Sequence, residues 1–117
     1  MIANSDHEDF SANFREFRQE ILIQSRLLHR NIVHLIGVCM NPFCLVAEFM
    51  CCGNLHDLIH DYSKPLSWKQ KISISYDVVF GMQHMHEKNM VHLDLKSPNI
   101  MITNEGGAMV AKIADFG

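Results

Sequence analysis

Residues 68–87 constrain the fold more than any other part of the chain. Lys64-Pro65 interrupts the segment before them, and Ser67 is a good N-cap for a helix that begins at Trp68. Apolar residues recur through this helix at spacings that spread them around much of its surface: Ile72, Ile74, Val78, Val79, Met82 and Met85. A helix that is apolar over most of its circumference is stable only when it is covered. We therefore predict a long helix, ending near Glu87, that is buried on much of its surface.

Two pairs of short β-rich runs lie on either side of this helix in the sequence. The first pair is IVHLIGVC and CLVAEFM, joined by Asn41-Pro42, which favours a turn. The second pair is IMIT and VAKIADF, joined by NEGG. Helical spacing also marks residues 11–29 and a short segment at 55–60, whereas residues 1–10 are expected to be disordered or frayed. The predicted fold class is α+β, in the order helix, hairpin, two helices, hairpin.

Composition and charge exclude several classes of function. The net charge is −3 and no basic face is apparent, which argues against a nucleic-acid partner. The apolar runs are strand-sized and the start of the chain lacks a signal-peptide core, so we expect no membrane span and a cytoplasmic protein. The four cysteines are expected as free thiols. A zinc site is an alternative, with His56 and His60 at helical spacing as candidate ligands.

The segment MVHLDLKSPNIMI, residues 90–102, concentrates polar residues that could carry chemistry. Asp94 and Asn99 lie in a loop that Pro98 constrains, and Asp115 ends the last predicted strand. Carboxylate and amide oxygens suit Mg²⁺, a carboxylate can act as base towards a hydroxyl, and the Lys96 ammonium suits a phosphate. Together they fit phosphoryl transfer, in which positioning and charge neutralisation dominate catalysis. A solvated loop beside a capped strand end would explain each residue singly, but not the set.

Two motifs in this region resemble those of eukaryotic protein kinases. HLDLKSPNIMI resembles the catalytic loop, H-R-D-L-x-x-x-N, and AKIADFG resembles the Asp-Phe-Gly motif. Upstream, FREFRQEILIQSRLLHRNIVHLIGVC is similar to the family's αC helix and next strand, and CLVAEFMCCGNLHDLIH to its strand, hinge and helix beside the adenine pocket. The amino-acid sequences of these segments are most similar to those of tyrosine-kinase-like kinases of the Roco type. The resemblance implies a partial protein-kinase-like fold over residues 11–117, comprising αC, two hinge-side strands, αD, αE, the catalytic loop and the following hairpin.

The resemblance assigns roles in catalysis and metal binding. Asp94 would accept the proton of the substrate hydroxyl, and Lys96 would contact the transferred phosphate. Asn99 and Asp115 would hold the Mg²⁺ ions that bridge the phosphates of ATP. A lysine at position 96 is typical of serine/threonine kinases. The implied activity is therefore Mg²⁺- and ATP-dependent phosphorylation of serine or threonine in a protein substrate, in signal transduction.

A further set of residues is implied to surround the nucleotide. Its members are Glu20, Ala47, Glu48, Met50, Asn54, Asp57 and Met101. Glu48 and Met50 would present hinge backbone groups to the adenine, and Met101 would form the floor of the pocket. Ala47 would stand at the rear, where a small side chain leaves an enlarged cavity. Glu20 occupies the αC position that pairs with a lysine in the family.

Three features depart from the family pattern. No Gly-rich loop is recognisable, and no lysine precedes Glu20, because the first lysine is Lys64. The sequence stops at Gly117, before any activation loop. Leu93 replaces the usual arginine, which in the family pairs with a phosphorylated activation loop. We expect a fragment of a larger kinase chain that is inactive alone; the alternative is a non-catalytic, kinase-like binding or regulatory module.

Overall fold

The described part of the protein consists of helices and two β-hairpins. The computed structural model describes residues 2–90 and 95–114, with side chains from Ala12 onwards. The helices are α1 (Ile2–Ser25), α2 (Leu55–Ile59) and α3 (Trp68–Glu87), followed by a 3-10 turn at Ser97–Asn99. The strands are β1 (Leu35–Met40), β2 (Phe43–Ala47), β3 (Ile100–Glu105) and β4 (Ala108–Ile113). The predicted α+β order of elements is confirmed.

The first helix is longer than its sequence pattern indicates. It begins at Ile2, whereas the spacing of apolar residues predicts a start at Ser11. The pattern misses the first part because the residues before Phe10 are mostly polar and give no apolar period. Phe17 attaches α1 to the first hairpin: it is 7% exposed, and its ring stacks on Phe43 of β2 at a centroid distance of 5.0 Å.

The two hairpins form separate two-stranded antiparallel sheets. Asn41-Pro42 joins β1 to β2, as predicted. Gly106 and Gly107 join β3 to β4 with φ values of 59° and 84°. Two successive positive φ values define the turn that matches the twist of a hairpin, and glycine adopts them at little cost. An isolated parallel bridge between Ile32 and Ile113 connects the segment after α1 to the end of β4.

A capping box fixes the start of α3 where the sequence predicts it. The Gln70 N–H donates to the Ser67 hydroxyl at 3.1 Å, and the Ser67 N–H donates to Gln70 Oε1 at 2.9 Å. Each side chain thus satisfies a backbone donor that the first helical turn leaves unpaired. The helix ends at Glu87, and Asn89 reverses the chain with a φ of 58°.

The core lies where α3 packs on β4. One cluster joins the loop after α1 to the helix and to the last strand: Leu27, Ile32, Met85 and Ile113. The other joins the helix to the second hairpin: Ile74, Ile100, Ile102 and Ala111. Val78 packs against both clusters. Gly81 lies at the closest approach, since an added Cβ would be 2.7 Å from the Asn31 carbonyl oxygen and 2.8 Å from Ile113 Cδ1.

Two polar side chains align β4 with the elements around it. The Asn31 side chain is buried and donates through Nδ2 to the Ala111 carbonyl at 3.0 Å, while the Asn31 carbonyl accepts from the Ile113 N–H at 2.9 Å. The Ala111 N–H donates to Asp77 Oδ2 of α3 at 2.9 Å. These directional bonds fix the position of β4 along its own axis, which apolar packing alone does not do.

The outer face of α3 is exposed, contrary to the prediction that the helix is buried on much of its surface. Its large uncovered side chains are Trp68, Ile72, Tyr76, Val79 and Phe80, the first of them 77% exposed. The described protein is also elongated, with a radius of gyration of 17.0 Å, against about 13 Å for a compact domain of this length. The sequence pattern indicates that α3 is apolar around much of its surface, but it does not indicate which faces of the helix the other described residues cover. In the described ranges, no helix combines the length and apolarity that crossing a bilayer requires.

Candidate functional site

Asn99 occupies the centre of the candidate site, at the end of the 3-10 turn. Its N–H donates to the Lys96 carbonyl at 2.9 Å, and its own carbonyl accepts from the Ala114 N–H at 2.8 Å. Asn99 is 7% exposed, so its place beside the end of β4 is fixed. Asp115 follows Ala114 directly in the sequence. Asp94 and Asp115 lie outside the described residues, so their convergence with Asn99 stays a prediction.

Lys96 begins the same turn in extended conformation, with φ −152° and ψ 166°. It is exposed, as a cation that meets a ligand from solution must be. The next residue contacts α2: Ser97 Oγ lies 3.4 Å from His56 Nδ1. The turn that carries Lys96 and Asn99 is therefore held between α2 and β4.

Glu48, predicted to present backbone groups at the hinge, is fixed through both its backbone and its side chain. Its N–H donates to the His34 carbonyl at 2.9 Å, and its carboxylate accepts from the His34 N–H at 2.8 Å. The Lys112 ammonium contacts both carboxylate oxygens, at 3.0 and 3.1 Å. Burial opposes ionisation of Glu48, but the His34 and Lys112 contacts outweigh it and lower its pKa below the usual value.

Lys112 is a buried partner of Glu48 that sequence reasoning missed. Its side chain is 8% exposed and also lies 3.4 Å from a Glu105 oxygen, and Glu105 in turn contacts Arg30. A signal was present, because a lone lysine inside the apolar strand VAKIA needs a carboxylate partner if the strand is buried. Lys112 links Glu48, the predicted hinge residue, to the second hairpin.

The segment after Met50 runs along β3, which contains Met101, the predicted floor of the pocket. Met50 is 8% exposed. The Cys52 N–H donates to the Ile102 carbonyl at 3.1 Å, the Ile102 N–H donates to the Gly53 carbonyl at 2.8 Å, and an isolated bridge pairs Asn54 with Met101. The structure thus brings residues 52–54, which follow the predicted hinge, together with Met101 and Ile102. Ala47 is the last residue of β2, paired with Leu35, and is exposed.

The remaining predicted nucleotide contacts lie on the helices. Asn54 is the N-cap of α2, and its Oδ1 accepts from the Asp57 N–H at 2.9 Å. That oxygen therefore already holds the helix start, while the exposed Asp57 carboxylate lies in the first turn. Glu20 is half-buried on α1. The roles of these three residues towards a nucleotide stay predictions.

The zinc alternative has little geometric support. The His56 and His60 rings do lie close, at a centroid distance of 4.3 Å. Within the part of the chain that is described, however, no group of three or more histidine, cysteine or acidic side chains is placed to hold a metal ion. The four cysteines are free thiols.

A second histidine pair, which the sequence analysis did not single out, lies where the loop after α1 meets α3. The His29 and His84 rings stack at 4.9 Å, and His29 Nδ1 accepts from the Asn31 N–H at 2.9 Å. Burial, and then the neighbouring His84, lower the pKa of His29, although Glu87 acts in the opposite direction. The lowered pKa favours the neutral form of His29, in which Nδ1 can accept this hydrogen bond.

The α+β order, with a turn bearing Lys96 and Asn99 between a long helix and a hairpin, defines a protein-kinase-like unit. Comparison with protein-family models agrees. The model described as protein tyrosine and serine/threonine kinase matches residues 2–117. The chain belongs to the protein kinase family.

Curated relatives place the chain more narrowly. It is 40% identical to the probable serine/threonine-protein kinase pats1 and 40% identical to the probable serine/threonine-protein kinase roco9, both of Dictyostelium discoideum, each over 92% of this chain. It is 35% identical over 88% of its length to the serine/threonine-protein kinase STY17 of Arabidopsis thaliana, of which it covers 18%. The predicted similarity to Roco-type kinases is confirmed. The chain spans only 4% of pats1 and 3% of roco9.

Proposed function

We propose that the polypeptide containing these residues transfers a phosphoryl group from ATP to serine or threonine of a protein substrate, in the presence of Mg²⁺. The observation that carries the proposal is the bond between the Ala114 N–H and the Asn99 carbonyl, within a chain of the kinase family. It holds the turn bearing Lys96 and Asn99 against the residue that precedes Asp115. A cytoplasmic location, where ATP, Mg²⁺ and reduced thiols are present, fits this activity.

The donor groups fit the implied metal. A buried asparagine and an aspartate offer an amide oxygen and a carboxylate, which are the hard ligands that Mg²⁺ prefers. We assign metal binding to Asn99 and Asp115. The bound metal would neutralise charge on the phosphates of ATP.

The same proposal assigns the proton and phosphate chemistry to the loop before Asn99. Asp94 accepts the proton of the substrate hydroxyl, and the exposed ammonium of Lys96 stabilises negative charge on the transferred group. Leu93 does not weaken this assignment, because neither role needs a side chain at that position.

We place the adenine between the hinge and β3. Glu48 and Met50 offer backbone groups there, Met101 supplies the floor, and Ala47 leaves room at the rear. Lys112 supports this arrangement because its ammonium contacts both oxygens of the Glu48 carboxylate and so fixes that residue. Glu20, Asn54 and Asp57 complete the proposed nucleotide set, and residues 11–117 form part of a kinase domain.

The test is phosphoryl transfer by the whole polypeptide in which these residues occur. Asp94→Asn should abolish transfer to a serine peptide, and Asn99→Ala should reduce transfer and raise the Mg²⁺ concentration needed. Asn104→Ala is the matched control, because Asn104 is an exposed asparagine of β3 that lies outside the site. Transfer that survives Asp94→Asn would contradict the assignment. Nucleotide binding without any transfer would favour the non-catalytic module.

A further inference from the structure

Adjacent cysteines occupy the turn that follows Met50. The Gly53 N–H donates to the Met50 carbonyl at 3.3 Å and closes the turn around Cys51 and Cys52. Ile102 of β3 holds this turn through one bond to Cys52, at 3.1 Å, and one to Gly53, at 2.8 Å. The backbone positions of both cysteines are therefore fixed by neighbouring structure.

The two sulfur atoms lie close together and are reachable from solution. Cys51 Sγ is 3.4 Å from Cys52 Sγ and 3.6 Å from the hydroxyl oxygen of Thr103, and both cysteines are exposed. The Thr103 hydroxyl, and then the Cys52 thiol, can donate to Cys51 and lower its pKa. The same contact with Cys51, followed by burial, raises the pKa of Cys52. Cys51 is thus the better nucleophile, with a protonated thiol beside it.

The other two cysteines show that exposure alone does not create this environment. Cys39 and Cys44 are directly opposite each other in the β1–β2 ladder, and Cys44 is exposed. Desolvation, and then the contact with Cys39, raise the pKa of Cys44. Cys44 therefore serves as an internal comparison for Cys51.

We propose that Cys51 and Cys52 form a redox modification site that hydroperoxides oxidise in two steps. The Cys51 thiolate first attacks one oxygen of the hydroperoxide; the O–O bond breaks, Cys51 becomes a sulfenic acid, and the other oxygen leaves as an alcohol or water after taking up a proton. Cys52 then loses its proton and attacks the Cys51 sulfur. A disulfide forms, and the hydroxyl of the sulfenic acid leaves as water. The two thiols lose two electrons, which reduce the hydroperoxide.

The product is suited to reversal rather than to permanent cross-linking. Successive Cα atoms are about 3.8 Å apart across a trans peptide bond, whereas disulfides usually join Cα atoms about 4.4–6.8 Å apart. A disulfide between neighbours is therefore strained and is easily reduced by low-molecular-weight thiols. The site also differs in chemistry from the proposed nucleotide site and does not depend on nucleotide binding.

The experiment treats the folded protein with one equivalent of hydrogen peroxide, alkylates the remaining thiols and maps the peptides by mass spectrometry. We expect the peptide that contains Cys51 and Cys52 to lose two hydrogens and to escape alkylation. Cys39 and Cys44 should stay reduced and should therefore be alkylated. In Cys52→Ser, Cys51 should stop at a sulfenic acid that dimedone traps. In Cys51→Ser, Cys52 should be oxidised severalfold more slowly than Cys51 is in the wild type, because the thiol whose pKa the Thr103 hydroxyl lowers has been removed.

Two controls separate the folded environment from intrinsic cysteine chemistry. Thr103→Val should slow oxidation of Cys51 severalfold, and Thr103→Ser, which keeps the hydroxyl, should restore it. In denaturing urea, Cys51 should lose its advantage over Cys44. Equal rates for Cys44 and Cys51 in the folded protein, or separate oxidation of Cys51 and Cys52 without a disulfide, would overturn the proposal.

Discussion

Replacing Gly81 by alanine is expected to destabilise the protein, because α3 approaches Asn31 so closely at this position. The new Cβ would lie 2.7 Å from the Asn31 carbonyl oxygen and 2.8 Å from Ile113 Cδ1, well inside the 3.4 Å at which ordinary contact begins. The carbonyl is backbone and already accepts from the Ile113 N–H. The helix must therefore move away by about 0.7 Å to relieve the overlap.

Two effects of opposite sign decide the size of the change. Alanine stabilises a helix relative to glycine by about 1 kcal/mol, whereas overpacking a filled site costs about 1–3 kcal/mol. Because backbone, rather than the end of a flexible side chain, must shift, the cost should lie in the upper part of that range. We expect the free energy of unfolding to fall by about 1–2 kcal/mol.

Pulse proteolysis in urea suits this measurement, because it works at protein concentrations too low for the exposed face of α3 to drive association. Ser73 is exposed on the same helix and supplies the matched control. The difference between Ser73→Ala and Ser73→Gly gives the helix-propensity gain without a clash. Gly81→Ala that matches the wild type in stability, or exceeds it by that difference, would refute the close approach of α3 to Asn31.

Three other changes have defined outcomes. Asp77→Ala should lower the free energy of unfolding by about 1–3 kcal/mol, because the Ala111 N–H loses an acceptor at 2.9 Å. Asp77→Asn keeps an acceptor and should lower the free energy of unfolding by less. Equal losses in the two variants would contradict this reason. The pKa of His29 is lowered from 6.5 by burial and by His84. Below pH 6.5 the unfolded chain therefore binds more protons at this position than the folded protein does. The stability should decrease as the pH falls from 6.5 through the pKa of His29 in the folded protein. Thermal melts of His29→Gln should depend less on pH in that range, and an unchanged dependence would assign it to another group. The exposed apolar side chains of α3 should bind a hydrophobic dye, and Ile72→Glu should reduce the dye fluorescence; unchanged fluorescence would exclude this face as the binding site.

Local sequence signals predicted most of the secondary structure. The Ser67 N-cap located the start of α3 to the residue, because the signal and the structure it specifies lie within one turn of helix. Gly106 and Gly107 located the second hairpin for the same reason. The predicted start of α1 is wrong, because the first residues of this helix lack an apolar stripe and therefore show no helical period in the sequence.

Contacts between distant segments were beyond the reach of such signals. Asn99 was identified through a resemblance, yet its backbone bond to Ala114 is visible only in three dimensions. Lys112 could have been suspected from its apolar neighbours, but nothing in the sequence names Glu48 as its partner. The covering of α3 is a further example, because periodicity reports which faces of a helix are apolar and not which of them another element covers.

The bond from Asn31 to the Ala111 carbonyl spans 80 positions of the chain. During synthesis at about 5–20 residues per second, Asn31 therefore waits about 4–16 s for its partner to be made. Leu27 and Ile32 wait as well, because their cluster is completed by Ile113 of the same late strand. Between the synthesis of Leu27 and that of Ile113, the nascent chain consequently carries an unfinished core, and the apolar surface that it exposes in this interval is a target for chaperones on the ribosome.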